Sequence, residues 1–195
     1  MVYYILGKSS SGKDTIYHKL LQDKELNLHE IIGYTTRPIR SGEKEGREYH
    51  FVSPWQMEQM EQAGIIIERR SYLTAHGPWH YFTAKDESVD IEHKDYVLIG
   101  TLESYEKVKA YFGEEWVIPF YIEVEDGVRL QRALDRERRQ KKPDYQELCR
   151  RFLADSLDFD QQTLKLAGID KKYENIDLDQ CIERMKLEML EMKNR

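Results

Sequence analysis

The chain has 195 residues, 34% of them charged and 40% hydrophobic, and a formal net charge of −6. That length suits one domain with a substantial core, and the acidic balance argues against a general nucleic-acid binder. No apolar run approaches a membrane span. Tyr3-Tyr4-Ile5-Leu6 is too short for a signal peptide and lacks a basic start, and Cys149 and Cys181, without pair spacing, read as buried reduced thiols of a cytoplasmic protein.

In chain order, Val2 to Leu6 is a short apolar run ending at Gly7, the pattern of a buried strand. Gly7-Lys8-Ser9-Ser10-Ser11-Gly12-Lys13 has the spacing of a phosphate-binding P-loop. Glycines let the backbone turn tightly and aim successive N–H groups inward. The helix that follows adds the positive end of its dipole, and Lys13 can reach the terminal phosphates of a nucleotide. The residue after the lysine is normally a Ser or Thr whose hydroxyl holds magnesium. Here it is Asp14, followed by Thr15, and either is expected on the ion or on one of its waters.

The first helix is expected over Thr15–Asp23, a short strand over residues 28–34, and then a polar stretch, TTRPIRSGEKEGREYHFVS (35–53), where Pro38 excludes helix before it. This stretch should end in a short strand from Tyr49 to Val52. Ser53-Pro54-Trp55-Gln56 carries an N-cap, a Pro at the first helical position and a capping-box Gln. That helix should end near Gly64, followed by a strand over 64–69, a turn at His76-Gly77-Pro78 and a strand over Trp79–Thr83. Then come a strand at 95–100, a helix over Leu102–Phe112, a strand at 117–124 and a helix over Gly127–Arg139, broken by Lys141-Lys142-Pro143-Asp144. One long helix is expected from near Asp144 toward Gly168. A short strand and cap in KYENIDLD (172–179) and a closing helix over Leu178–Lys193 complete the chain.

Strands separated by helices imply an α/β sandwich with a mainly parallel sheet. The β-rich stretch from 34 to 83 interrupts that alternation after the first helix, where it is placed to present a second ligand. The basic run at 129–142 reads either as a solvated helix face or as side chains that close over a polyphosphate.

GKSSSGKDT, TTRPIRSGEKEGREYHFVS, IIERR, the strand with YFT and the arginine-rich helix pair together resemble guanylate kinase over nearly the whole chain. TTRPIRSGEKEGREYHFV is the most specific piece. The resemblance implies a P-loop three-layer sandwich with a core at about 1–33, 84–127 and 152–195, an acceptor-binding insertion at about 34–83 and a helical lid at about 128–151. It implies transfer of a phosphoryl group from ATP, with Mg²⁺, to GMP, in a monomer or homodimer that binds neither nucleic acid nor membrane. Gly7, Ser9, Ser10, Ser11, Gly12, Lys13, Asp14, Thr15 and Asn175 would line the ATP site, although a lone Asn also serves as a helix cap. Arg37, Arg40 and Tyr49 would hold the acceptor phosphate, since two guanidinium forks and a phenol suit a dianion. Glu68, otherwise an ordinary strand-end carboxylate, would read the base with Tyr81, Thr83 and Thr101. Arg138 and Arg151 best match the arginines over the moving phosphoryl group, with Arg136, Arg139 and Arg150 as neighbours.

The chain departs from the pattern at Lys8, Ser10, Asp14, Gly33 and Phe82. It also has Ile99 and Thr101 where two aspartates are usual. Those last two leave open a related kinase for another phosphorylated acceptor, such as a sugar phosphate. A non-catalytic guanylate-kinase-like interaction domain is the other alternative, and the retained Gly7, Gly12 and Lys13 stand against it.

Overall fold

Five residues without a charged side chain among them, Val2–Leu6, form strand β1, and every one of them is buried. Such a run fits a parallel strand covered on both faces. A computed structural model describes residues 1–40, 42–74 and 77–193. In it β1 is the centre of a five-stranded parallel sheet with β2 (His29–Glu30), β7 (Tyr96–Gly100), β8 (Val117–Glu123) and β9 (Lys172–Glu174), in the order β2-β7-β1-β8-β9. Alternate residues of β1 supply the two cores. Tyr3 and Ile5 pack with Ile16 and Leu20 of α1 (Lys13–Gln22) and with Met185 and Met189 of α7 (Leu178–Lys193). Val2, Tyr4 and Leu6 pack with Leu102, Tyr105 and Val108 of α3 (Leu102–Phe112) and with Leu164 of α6 (Gln161–Leu166). Each fully buried aliphatic or aromatic side chain contributes roughly 1.5–3 kcal/mol. The result is three layers with the sheet in the middle, as expected.

The insertion forms a second, mixed sheet in the order β4-β3-β6-β5, from β3 (Tyr34–Thr35), β4 (His50–Phe51), β5 (Ile66–Thr74) and β6 (Gly77–Ala84). Helix α2 (Pro54–Gln62) packs Met57 against Phe82 and Ala84. Its capping box forms as the sequence indicates: Ser53 Oγ accepts from the Gln56 amide at 3.2 Å, and Gln56 Oε1 accepts from the Ser53 amide at 2.8 Å.

Four expectations need correction. Residues 28–34 are not one strand. His29 and Glu30 pair with β7, while Tyr34 and Thr35 pair with β6, so the chain leaves one sheet for the other between them. Gly77 and Pro78 belong to β6 and form no turn, and His76 lies outside the described residues. The long helix from Asp144 is two helices, α5 (Tyr145–Asp158) and α6. Phe159 leaves helical geometry to stack on Tyr121 at 5.6 Å, and Asp160 then caps a new helix by accepting from the amides of Gln162 and Thr163. Finally, Cys181 is buried but Cys149 is exposed, on a helix that buries no residue fully. Among the described residues no helix is long and apolar enough to cross a membrane.

Candidate active site

The P-loop leaves β1 at the carboxyl end of the central sheet and enters α1. Its shape depends on close approaches that side chains would block. A Cβ on Gly7 would lie 2.6 Å from the Ile122 carbonyl, and one on Gly12 would lie 2.5 Å from Asn175 Nδ2. Gly12 and Ser10 both have left-handed backbones, with φ of 88° and 63°. Gly12 caps α1 without a side-chain acceptor, so the first amides of the helix keep no intrahelical partner. The buried hydroxyls of Ser10 and Ser11 have no hydrogen-bond partner among the described residues. Open amides, orphaned hydroxyls and a helix N-terminus fit a phosphate chain.

Asn175 is buried and donates Nδ2–H to the Ser11 carbonyl at 2.8 Å, so it props the loop from below. Lys13 Nζ lies 3.7 Å from Asp14 Oδ2, and the Asp14 side chain is 79% exposed. Thr15 is exposed beside it. Among the described residues no three metal-type ligands gather at one point. Magnesium bound with phosphates keeps several waters and needs only one or two carboxylates, so Asp14 at the end of the cradle is a fitting donor.

Two residues of this site escape sequence reading. Arg129, on α4 (Asp126–Arg138), is 1% exposed and lies over the Phe152 ring at 4.8 Å. It donates to the Ser9 carbonyl at 3.0 Å, to Asp155 at 3.3 Å, and to Asp126 through Nε and Nη2. Asp155, on α5, accepts from the Ser9 amide at 2.8 Å. Ser9 is therefore held through its amide by α5 and through its carbonyl by α4, and the Ser11 amide closes the turn onto the Lys8 carbonyl at 3.2 Å. The i, i+3 pair Asp126–Arg129 was the available signal.

On the insertion, the buried Arg37 guanidinium meets Glu43 through two hydrogen bonds of 2.7 Å and lies over the rings of Tyr49 and Phe51. Its Nε is buried without a hydrogen-bond partner among the described residues. Glu43, with help from Tyr81, raises the Arg37 pKa further, and Arg37 in turn holds the Glu43 carboxyl down at about 2. Arg40 is exposed and gives its backbone amide to Glu43 at 2.8 Å. Burial pushes the Tyr49 phenol up, and the Asp14 carboxylate adds to that.

Glu68 is buried on β5. It accepts from Thr83 Oγ1 at 2.9 Å and from Arg70 Nε and Nη2 at 3.2 Å each. Tyr81 packs its ring edge-on against Tyr49 and Tyr72. Thr101 is the N-cap of α3 in a reciprocal box with Ser104, and Ser104 Oγ meets Tyr4 Oη at 2.5 Å. Ile99 packs against the core cluster on the α1 side.

A cavity of about 190 Å³ opens between α4 and α5, bounded by Ser9, Arg129, Arg136, Glu147, Arg151 and Asp155. Arg151 and Arg150 pair with Glu147 at 2.6–2.8 Å, and Arg150, with Arg151 behind it, holds that carboxyl down at about 2. Arg138 is exposed, 3.8 Å from Asp135, and does not line this cavity.

Residues 1–94 match the family model described as guanylate kinase. The guanylate kinase of Porphyromonas gingivalis is 32% identical over 120 residues, covering 60% of this chain and 62% of that protein. That of Novosphingobium aromaticivorans is 30% identical over 127 residues, covering 61% and 54%. The chain thus spans about three fifths of the length of these curated relatives. Among solved structures, a guanylate kinase from Anaplasma phagocytophilum shares the fold, with a TM-score of 0.64 and 22% identity over 100% of this chain and 87% of that one.

Proposed function

The chain belongs to the guanylate kinase family, and from that premise we propose that it moves the γ-phosphoryl group of ATP to GMP. One juxtaposition carries the reading. An anion cradle at Gly7–Thr15 is joined in one chain to an inserted segment that buries the Arg37 guanidinium and the Glu68 carboxylate, with Tyr49 half-buried against Arg37.

In this reading phosphoryl transfer asks the protein for position and charge. The P-loop amides and Lys13 hold the β,γ-phosphates. Arg37, steadied by Glu43, and Arg40 screen the acceptor dianion so that its oxygen can approach another polyanion. Glu68 accepts from the base, with Thr83 beside it. Asp14, with Thr15, would hold magnesium or one of its waters, and the ion would supply charge neutralisation between the β- and γ-phosphates. Residues 34–83 act as the acceptor subdomain. Residues 128–151 act as a lid whose arginines, Arg138 and Arg151 foremost, stabilise charge on the moving group and whose closure excludes water.

A second reading, transfer to a sugar phosphate or another phosphorylated acceptor, draws on Ile99 and Thr101. One is packed into the core and the other is occupied as a helix cap, so neither brings a carboxylate to the base. A coupled assay with MgATP and a panel of nucleoside and sugar monophosphates decides between them. GMP should be the best acceptor. A sugar phosphate turned over faster than GMP would overturn the reading, and failure to bind ATP would point to an interaction domain.

A further inference from the structure

Glu68 and Arg70 stand two residues apart on β5, so their side chains share one face of the sheet. Their partners across β6 are Thr83 and Tyr81. The Glu68 side chain is 1% exposed and that of Arg70 is 22% exposed, so this guanidinium is not a solvated surface charge. It lies close enough to Tyr4 and Tyr49 to act on both phenols electrostatically. Two of its nitrogens face Glu68, both at 3.2 Å, whereas Arg37 and Glu43 meet at 2.7 Å twice. Charge-assisted pairs usually close to about 2.7–2.9 Å. The Glu68–Arg70 pair is therefore slack, and Arg70 Nη1 makes no hydrogen bond among the described residues.

We propose that Arg70 is a base-contacting specificity residue, donating to O6 and N7 of the acceptor guanine while Glu68 accepts from N1–H and the 2-amino group. The proposal rests on the reading of the acceptor as GMP. Guanine presents two donors and an acceptor on one edge, with N7 next to O6. A carboxylate offers only acceptors and a guanidinium only donors, and the arginine fork matches O6 and N7 of guanine bidentately. A carboxylate and a guanidinium side by side thus complement the whole guanine edge. Adenine would set its 6-amino donors against the guanidinium and its N1 lone pair against Glu68. Arg70 in this role supplies the second base contact that Ile99 and Thr101 do not.

The test is Arg70→Lys, with Arg70→Ala beside it. Lysine keeps a positive charge next to the buried Glu68, so the fold is preserved, but it lacks the fork. kcat/KM is measured for GMP, IMP and AMP, and GMP binding is measured by calorimetry. IMP keeps O6, N7 and N1–H and lacks only the 2-amino group that Glu68 reads. Arg70→Lys should lower kcat/KM about 10- to 100-fold for GMP and IMP alike, leave AMP unchanged or improved, and leave the KM for ATP unchanged. If Arg70 only positions Glu68, the loss will be clearly smaller for IMP than for GMP, and the proposal falls. It falls equally if Arg70→Lys keeps wild-type turnover of GMP. If the wild type binds GMP without phosphorylating it, the functional reading fails separately. Calorimetry then decides the role of Arg70: weaker GMP binding in Arg70→Lys upholds it, and unchanged GMP binding overturns it.

Discussion

The P-loop and the insertion handle charge in opposite ways. The P-loop is made of backbone: its donors are amides, its shape comes from Gly7 and Gly12, and the carboxylate at its end, Asp14, faces outward. The insertion is made of side chains, and its buried charges arrive with partners, Arg37 with Glu43 and Glu68 with Arg70. The difference follows from what each surface must do before a ligand arrives. Amides at a helix start tolerate waiting in water, whereas a buried guanidinium or carboxylate without a partner is destabilising by several kcal/mol. A ligand therefore adds to the first site and must share with partners already present in the second.

Lys13→Ala should break the donor side most severely. Turnover should fall by roughly 10²–10³-fold or more, because most of the catalysis open to such a site comes from stabilising the charge on the transferring group. The protein should still unfold at the wild-type temperature, which a thermal melt checks. Next come Arg138→Ala and Arg151→Ala, which should reduce kcat by about 10- to 100-fold while changing nucleotide affinity little, since their contacts belong to the closed, charge-developing state. Arg151 lines the inter-helix cavity and Arg138 does not, so the larger loss should fall on Arg151. Single-turnover kinetics beside equilibrium binding separates the two quantities.

A smaller effect sharpens the acceptor side. Glu43 has an ordinary carboxyl pKa of 4.5 and is held at about 2 by Arg37 in the folded protein. A depressed carboxyl stabilises the fold above its unfolded pKa and loses that contribution as the pH falls through its folded one. Wild type should therefore lose stability between about pH 4.5 and pH 2 in part through this group. Glu43→Gln should flatten that part of the curve and lower stability at neutral pH, as melts across the pH range will report. The smallest expected change is Asp14→Ser. Serine restores a hydroxyl next to the P-loop lysine, so magnesium-dependent turnover should be kept or modestly improved. A large loss would show that the carboxylate itself is required.

The turn at Gly7–Lys13 was legible in the sequence because its geometry sits in local spacing: strand, Gly7, Gly12-Lys13, helix. The central sheet was legible for a similar reason, since buried parallel strands are continuous apolar runs. The pairings were not. Glu43 stands within the polar stretch 35–53, yet nothing local says that it holds Arg37. Arg129 opens a basic run that reads as a solvated face, and only the approach of Ser9 and Asp155 from distant parts of the chain buries it. Arg70 likewise looks like one of two adjacent strand arginines until the side-chain alternation puts it beside Glu68 and sends Arg69 outward to Glu61. The passage from β2 to β3 carried no signal, because strands of two residues have no period to detect. The break at Phe159 was masked by the apolar spacing of Leu153, Leu157 and Leu164, which continues across it.

The double hold on Ser9 also has a mechanical side. Arg129 stands near the start of α4 and Asp155 near the end of α5, so both helices are fastened to the P-loop at the same end. Their other ends meet at the Lys141–Asp144 break, where Glu137 accepts from the Asp144 amide. The pair thus has the form of a lever with its fulcrum at Ser9. From Arg129 to Arg139 the arm is about 15 Å long at 1.5 Å per residue. A rotation of about 20° at the fulcrum sweeps its tip through roughly 5 Å, one helical turn, while displacing Ser9 very little.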